Sequence, residues 1–228
     1  MAVTQLVRKL IPASHGSKVD FEKFSDDFIG TGVGQQNYGH GIYFGHGYDN
    51  PSALNFKEVF KSGLLDVPYP DAKLFNVDLN LGADDLLNWQ RPFSQQNPEV
   101  QRKLTDILNA HKDSSTFRLK QRLAKEHGFD PSKTTGGHFY GALTPFSKEI
   151  GGYDLKAASD ILSRGGIKGN LIEHTSTGGG APHYAIFDPS VINIVNKYGL
   201  GALGLGGLLS DDVSKQTLGT FQSEGRMI

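Results

Sequence analysis

The sequence has no cysteine, almost no net charge and no long apolar run. None of its 228 residues is a cysteine, which excludes disulfide bridges, thiolate nucleophiles and the usual cysteine-containing zinc sites. The 23 basic residues nearly balance the 24 acidic ones, so no overall field draws the chain to nucleic acid or to an anionic membrane. No stretch reaches the roughly 18 apolar residues of a transmembrane helix, and residues 1–10 carry too short an apolar run for a signal peptide.

Glycine, by contrast, is abundant and unevenly placed. The chain has 29 glycines, about twice the usual share, and the excess lies in residues 30–47, 165–180 and 199–207. The first of these clusters follows His15 and contains Tyr43. Glycines beside these two side chains let a ligand approach the backbone closely. We therefore expect His15 and Tyr43 to belong to one pocket.

The run Gly30-Thr31-Gly32-Val33-Gly34 is superficially similar to a dinucleotide-binding fingerprint. That fingerprint needs an apolar strand before it and an acidic residue at a set distance after it. This sequence has neither at the required place, so a Rossmann-type site is excluded.

Hydrophobic periodicity predicts a single domain of mixed α and β structure. We expect Phe21, Phe24 and Phe28 to pack as scaffold and Trp89 to anchor the core. The first strand is predicted to end at Pro12, which leaves His15 just after it. Strands are predicted over residues 6–12, 41–44, 72–81, 167–172 and 183–188, with a capped turn at 84–89, and helices over 51–62, 98–108, 115–127, 138–148 and 154–164.

The end of the chain differs in composition from the rest. After Lys197, leucines alternate with glycines and a polar segment follows. This change predicts a domain over residues 1–197 and a Gly/Leu-rich tail over residues 198–228. We expect the tail to pack on the domain or to contact another protein chain, with a short membrane-active segment as the alternative.

Several stretches, taken in order, resemble one family. They resemble ADP-ribosyltransferases of the diphtheria-toxin-like, His-Tyr-Glu class, and most of all the ADP-ribosyltransferase domains of phage and mobile-element polyvalent proteins. The resemblance covers about residues 13–195. The stretches that carry it are His15-Gly16-Ser17, the Phe21/Phe24 pair, residues 30–36, Gly39-His40-Gly41-Ile42-Tyr43-Phe44, residues 75–79, 85–96 and 157–169, and His183-Tyr184-Ala185-Ile186-Phe187-Asp188-Pro189-Ser190.

The resemblance implies an α+β fold, an ADP-ribosyltransferase-like split β-sandwich of two small, mostly antiparallel sheets with flanking helices. It implies NAD as the cofactor, transfer of one ADP-ribose to a protein acceptor, and an effector that is delivered with a virion or acts in the host cytoplasm. By analogy, His15 binds the nicotinamide ribose, the backbone of Gly16 receives the carboxamide, and Tyr43 stacks on the ring. Ser17 and Ser52 are further cofactor contacts, and residues 175–181 form a target-recognition loop.

The resemblance departs from the family at its third motif. The class carries a glutamate there, which orients a ribose hydroxyl and stabilises the developing positive charge, and the matching position is His183. A histidine does not supply a fixed negative charge. Glu173 is the nearest acidic substitute, and Gln35 or Gln36 offers neutral hydrogen bonds. The alternative function is therefore a non-catalytic virion, assembly or NAD-binding protein on the same fold.

Overall fold

The structure, a computed structural model, describes residues 10–32, 36–50, 53, 72–111, 130–174 and 180–198. Three α-helices lie fully within these residues, Pro98–Ala110 (α1), Gly136–Leu143 (α2) and Leu155–Arg164 (α3), with 3₁₀ helices at Asp26–Phe28, Phe93–Gln95 and Pro189–Val191. None of the described helices is long and apolar enough to cross a membrane. The strands are Ile11–Ser17 (β1), Ile42–His46 (β2), Lys73–Leu79 (β3), Leu86–Asn88 (β4), Phe146–Ser147 (β5), Gly152–Tyr153 (β6), Gly169–Ile172 (β7), His183–Ile186 (β8) and Ile192–Tyr198 (β9).

Seven strands form one mixed sheet in the order β4-β7-β8-β2-β1-β3-β9, and β5 and β6 form a separate hairpin. The sheet consists of two blocks. In one block β3 pairs antiparallel with β1 along its full length and with β9. In the other, β2, β8 and β7 pair antiparallel and β4 is added in parallel. The fold is thus α+β, as predicted.

A narrow joint connects the two blocks. Between β1 and β2 the register pairs Ala13 with His46 and Ser14 with Gly45. Beyond Ser14, β1 continues along β3, and before Gly45, β2 runs along β8. We call the point where β1 and β2 diverge the fork. The expectation from the sequence is two sheets packed face to face, whereas the joint keeps the two described blocks edge to edge in one ladder.

Two clusters of buried side chains hold these elements together. One joins the three helices to β4, and the other lies on β1, β2, β3 and β8 and includes Phe24.

The predicted starts of two helices are confirmed, because Asn97 caps α1 ahead of a first-turn proline and Asp154 caps α3. Phe28 is 71% exposed, so the prediction that it packs is wrong. It belongs to a 3₁₀ helix that has no buried residue.

The first strand and the edge strands differ from the prediction. β1 begins at Ile11 and contains both Pro12 and His15, so the prediction that the strand ends at Pro12 is wrong. β4 forms where a turn is predicted, and β9 is not predicted at all. Both lie at an edge of the sheet, where a strand draws its backbone hydrogen bonds from one distant neighbour.

The helix α2 is shorter than predicted. It ends at Leu143, since Thr144 precedes Pro145 and a residue before proline avoids the helical conformation. The predicted helices over 51–62 and 115–127, Ser52, Gln35, and the tail from residue 199 lie outside the described residues. So do residues 175–179 of the predicted recognition loop.

Candidate functional site

The stretches that resemble the three family motifs meet at the fork. His15 is the first residue of β1 beyond the joint with β2. Tyr43 lies on β2, two residues before the joint. On the far side of β2, His183 pairs with Gly45, which itself pairs with Ser14. Three positions that are far apart in the sequence thus lie on three adjacent strands.

The His15 imidazole bridges the fork. Its Nδ1 lies 2.7 Å from the carbonyl oxygen of Tyr43, and because a carbonyl only accepts, Nδ1 carries the proton. The ring packs edge-on against Phe24 at 5.4 Å and near Phe44 at 5.5 Å between centroids. Burial lowers the pKa of His15, and the bond to Tyr43 opposes this shift. The imidazole is therefore neutral at pH 7, and its Nε2 is the acceptor.

The backbone next to His15 is available on one side. Gly16 pairs with Leu74 of β3, while among the described strands the β1–β2 register ends before it. On its β2 side, the backbone of Gly16 has no partner in the described β1–β2 register, so its peptide groups are not used by that pairing. Ser17 is 8% exposed, and its Oγ accepts the N–H of Val19 at 3.2 Å. This hydroxyl supports the turn after β1.

The ring of Tyr43 lies away from the ring of His15. Successive side chains of a strand point to opposite faces, so Tyr43 points away from Phe44, which contacts His15. The Tyr43 hydroxyl accepts the N–H of Tyr38 and donates to the carbonyl of Gly39, both at 2.9 Å. Burial raises the pKa of Tyr43, which keeps the hydroxyl protonated. The structure brings His15 to the backbone of Tyr43 and not to its side chain.

His183 shares the face of Tyr43. Its cross-strand neighbours are Gly45 and Ile172, and Tyr43 pairs with Ala185 two positions along β8. Diagonal neighbours of this kind are about 7–8 Å apart. Burial lowers the pKa of His183, with a hydrogen bond to the Ala181 backbone acting in the opposite direction. A neutral imidazole therefore occupies position 183, the position that corresponds to a glutamate in the class that the sequence resembles.

Glu173 is not brought to the fork. It follows β7, three strands from β1, which corresponds to about 14 Å. Its Oε1 lies 2.5 Å from an Arg91 guanidinium nitrogen, and this hydrogen bond lowers the pKa of Glu173. The carboxylate is ionised, but Arg91 already holds it.

Residues 36–41, the loop before β2, are held by Gln36, which the sequence suggests as a source of neutral hydrogen bonds, and by three side chains that the sequence does not single out. The Oε1 of Gln36 accepts the N–H of Gly41 at 3.0 Å, so it stabilises the loop. The other partners come from α2, α3 and β7, at least 100 residues away in the chain. Contacts over such a distance in the chain cannot be predicted from the local sequence. Tyr140 and Ser159 form hydrogen bonds with the backbone of His40, and Asn170 donates a hydrogen bond to the carbonyl of Tyr38.

A separate cavity of about 420 Å³ lies near the start of β1. Its polar feature is the 2.8 Å hydrogen bond between Nδ1 of His46 and the hydroxyl of Tyr184. The other described lining residues are mainly apolar and include no lysine or arginine, so none of the described residues there balances the charge of a diphosphate. The described residues hold no group of three or more histidines and carboxylates that could bind a metal ion.

The fork has a neutral imidazole acceptor at His15, a backbone edge at Gly16 beyond the described β1–β2 register, and an aromatic ring at Tyr43 on the opposite face of β2. Singly, an imidazole acceptor, a peptide group and an aromatic ring can bind a hydroxyl, a carboxamide and a planar ring, but the rings of His15 and Tyr43 do not line the same face of the sheet. They include no free carboxylate among the residues placed there. Comparisons of the chain with protein-family models, curated proteins and solved structures found no match.

Proposed function

We propose that this chain is an NAD-dependent mono-ADP-ribosyltransferase that modifies a protein acceptor, on the split β-sandwich of that class. One observation carries the proposal: the three motif stretches lie on the adjacent strands β1, β2 and β8 at the fork. A chance likeness of short stretches would not require them to be neighbours in space.

The residues at the fork fit parts of NAD. When bound, NAD supplies a nicotinamide–ribose bond that breaks with its electron pair leaving on nicotinamide, while an acceptor nucleophile bonds to the ribose carbon and loses a proton. His15 accepts a hydrogen bond from a ribose hydroxyl through Nε2. The backbone of Gly16 receives the carboxamide. The π face of the Tyr43 ring would stabilise the cationic pyridinium. Because this ring lies on the other face of β2 from the His15 ring, the proposal requires the nicotinamide to pass through the fork, where β1 and β2 diverge.

The groups near the third motif favour a single, slow transfer. His183 is neutral and Glu173 is paired with Arg91, so no described carboxylate at the fork stabilises the positive charge that develops on the ribose. These same observations favour one second candidate, an NAD-binding protein without turnover.

The test combines labelled NAD+, a bacterial lysate and thermal unfolding. We expect the wild type to transfer label to protein and NAD+ to raise its melting temperature. His15→Ala and Tyr43→Ala should lose both effects, whereas Gly32→Ala, on an open part of the same segment, should keep them. Stabilisation by NAD+ without transfer identifies the binding protein. Neither effect in the folded wild type overturns both candidates.

A further inference from the structure

The orientation of the Tyr43 ring depends on the loop before β2. Its hydroxyl is bonded on both sides to that loop, to the N–H of Tyr38 and to the carbonyl of Gly39. Any movement of this backbone segment therefore moves or releases the ring. The position of the ring is set by whatever fixes the loop.

Two side chains from the helices fix the next residue of the loop, His40, by both of its backbone groups. The hydroxyl of Tyr140 accepts the His40 N–H at 2.8 Å, and the Oγ of Ser159 donates to the His40 carbonyl at 2.7 Å. Tyr140 has one hydroxyl proton to share between the Leu155 carbonyl at 2.7 Å and Ser159 at 2.8 Å. Tyr140, on α2, and Ser159, on α3, thus form one buried network around the loop.

Packing links the same residues. Gly39 has a φ of 107°, and a Cβ built on it would lie 2.8 Å from the ring of Tyr140. The ring of Trp89 lies 5.5 Å from the rings of both Tyr38 and Tyr140. The Tyr140 ring therefore supports the loop at Gly39, while its hydroxyl holds the loop at His40.

Building on the proposed function, we propose that Tyr140 and Ser159 are positioning residues of the nicotinamide site. The network they form holds the backbone of His40, this backbone places Tyr38 and Gly39, and these two residues orient the Tyr43 ring. Tyr140 and Ser159 act through the loop. Replacing either residue is therefore expected to weaken binding of the ligand in addition to any loss of folding stability.

Trp89 is the only tryptophan of the chain, so its fluorescence reports on this loop without an added label. The experiment titrates the full chain with NAD+ and follows Trp89 emission, with the melting temperature measured on the same samples. The variants are Tyr140→Phe and Ser159→Ala. Tyr184→Phe is the matched control, because it also removes one buried tyrosine hydroxyl, here the partner of His46 on the other face of β8.

We expect Tyr140→Phe to weaken NAD+ binding by about tenfold, which is the size of one lost hydrogen bond, and to reduce the response of Trp89 to NAD+. Ser159→Ala should act in the same direction, and Tyr184→Phe should bind like the wild type. Should Tyr140→Phe fail to fold, Ser159→Ala decides. Lower melting temperatures with unchanged NAD+ affinity in the variants overturn the positioning role alone. A wild type that does not bind NAD+ overturns the proposed function, and the positioning role with it.

Discussion

At the scale of the residue, the packing of His15 determines its pKa and therefore how the stability of the protein depends on pH. Burial against Phe24 and Phe44 lowers its pKa, so below its ordinary value of 6.5 the unfolded chain binds a proton that the folded chain excludes. This contribution to stability is present above about pH 6.5 and is lost as the pH falls towards the folded-state pKa. We expect His15→Gln to flatten the fall in melting temperature between about pH 7 and pH 5.

The control for this prediction replaces the exposed His174 with glutamine, which removes an imidazole from the surface. The melting temperature of each variant is measured across the same buffers by calorimetry. The pKa values of His40 and His183 are lowered by burial as well, so part of the slope should persist in His15→Gln. If the melting temperature of His15→Gln falls with pH as steeply as that of the wild type, the assignment of a neutral His15 is contradicted.

The hydroxyl of Tyr43 gives a second prediction at this scale. Tyr43→Phe leaves the Tyr38 N–H and the Gly39 carbonyl without their partner. An unpaired buried polar group costs about 1–3 kcal/mol, so we expect the free energy of unfolding in urea to fall by that amount with little change in its slope. Tyr153→Phe, at a side chain 63% exposed, is the control. Equal stabilities of the two variants would contradict the role of the hydroxyl.

The sequence predicts His15 and Tyr43 as site residues, but it does not predict that their side chains lie on opposite faces of the sheet. Which side of a strand a residue occupies depends on register, and a shift of one residue reverses it. Here the register across the joint is set by two pairs, of Ala13 with His46 and Ser14 with Gly45. Neither pair can be predicted from the local sequence, because its two members lie on different strands. The sequence could therefore predict the chemical groups, whereas the separation of their side chains required the coordinates.

At the scale of the element, the loop before β2 depends on one glycine. Gly39 has a positive φ and no room for a Cβ beside the Tyr140 ring. We expect Gly39→Ala to lower the free energy of unfolding by roughly 1–3 kcal/mol through backbone strain and crowding. The emission of Trp89 should shift as well, because the Tyr140 ring must move.

The matched control is Gly32→Ala, where a Cβ meets nothing within 4 Å and φ is not in the positive range. Urea unfolding followed by Trp89 fluorescence measures both effects in one experiment. A Gly39→Ala variant as stable as Gly32→Ala, with unchanged emission, would show that the loop tolerates a side chain there.

Elements were predictable where their signals are local. The helices α1 and α3 follow from capping residues and 3.6-residue periodicity, with Asn97 and Asp154 at their starts. The strand β3 follows from its apolar residues, which are buried, and it lies between β1 and the edge strand β9. By contrast, β4 has three residues and pairs in parallel with β7, and so short a strand is defined by its partner.

At the scale of the whole molecule, the fork brings together strands from the beginning and the end of the described chain. It places a neutral histidine, His183, beside Gly45, and the ionised Glu173 stays with Arg91. Under the proposed function this arrangement would bind and orient NAD+, but none of the described carboxylates lies at the fork to stabilise a cationic ribose. Under the proposed function, the missing charge at position 183 limits the rate.

This limit predicts a gain of activity. His183→Glu places a carboxylate on the face of the sheet that carries Tyr43, and we expect it to accelerate NAD+ hydrolysis or transfer by roughly 10- to 100-fold. The same burial that lowers the pKa of His183 should raise that of the new carboxyl group. The gain should therefore increase from mildly acidic to neutral pH, as the carboxyl group ionises.

His183→Gln is the control that isolates the charge, because glutamine matches glutamate in size and lacks its negative charge. Release of nicotinamide is measured for wild type, His183→Gln and His183→Glu over the same pH range, beside the melting temperature of each protein. A faster His183→Glu with a slow His183→Gln means that β8 presents position 183 to the ribose. If both variants fold, bind NAD+ and turn over at the wild-type rate, position 183 does not face the reacting bond, and the charge must be sought elsewhere around the fork.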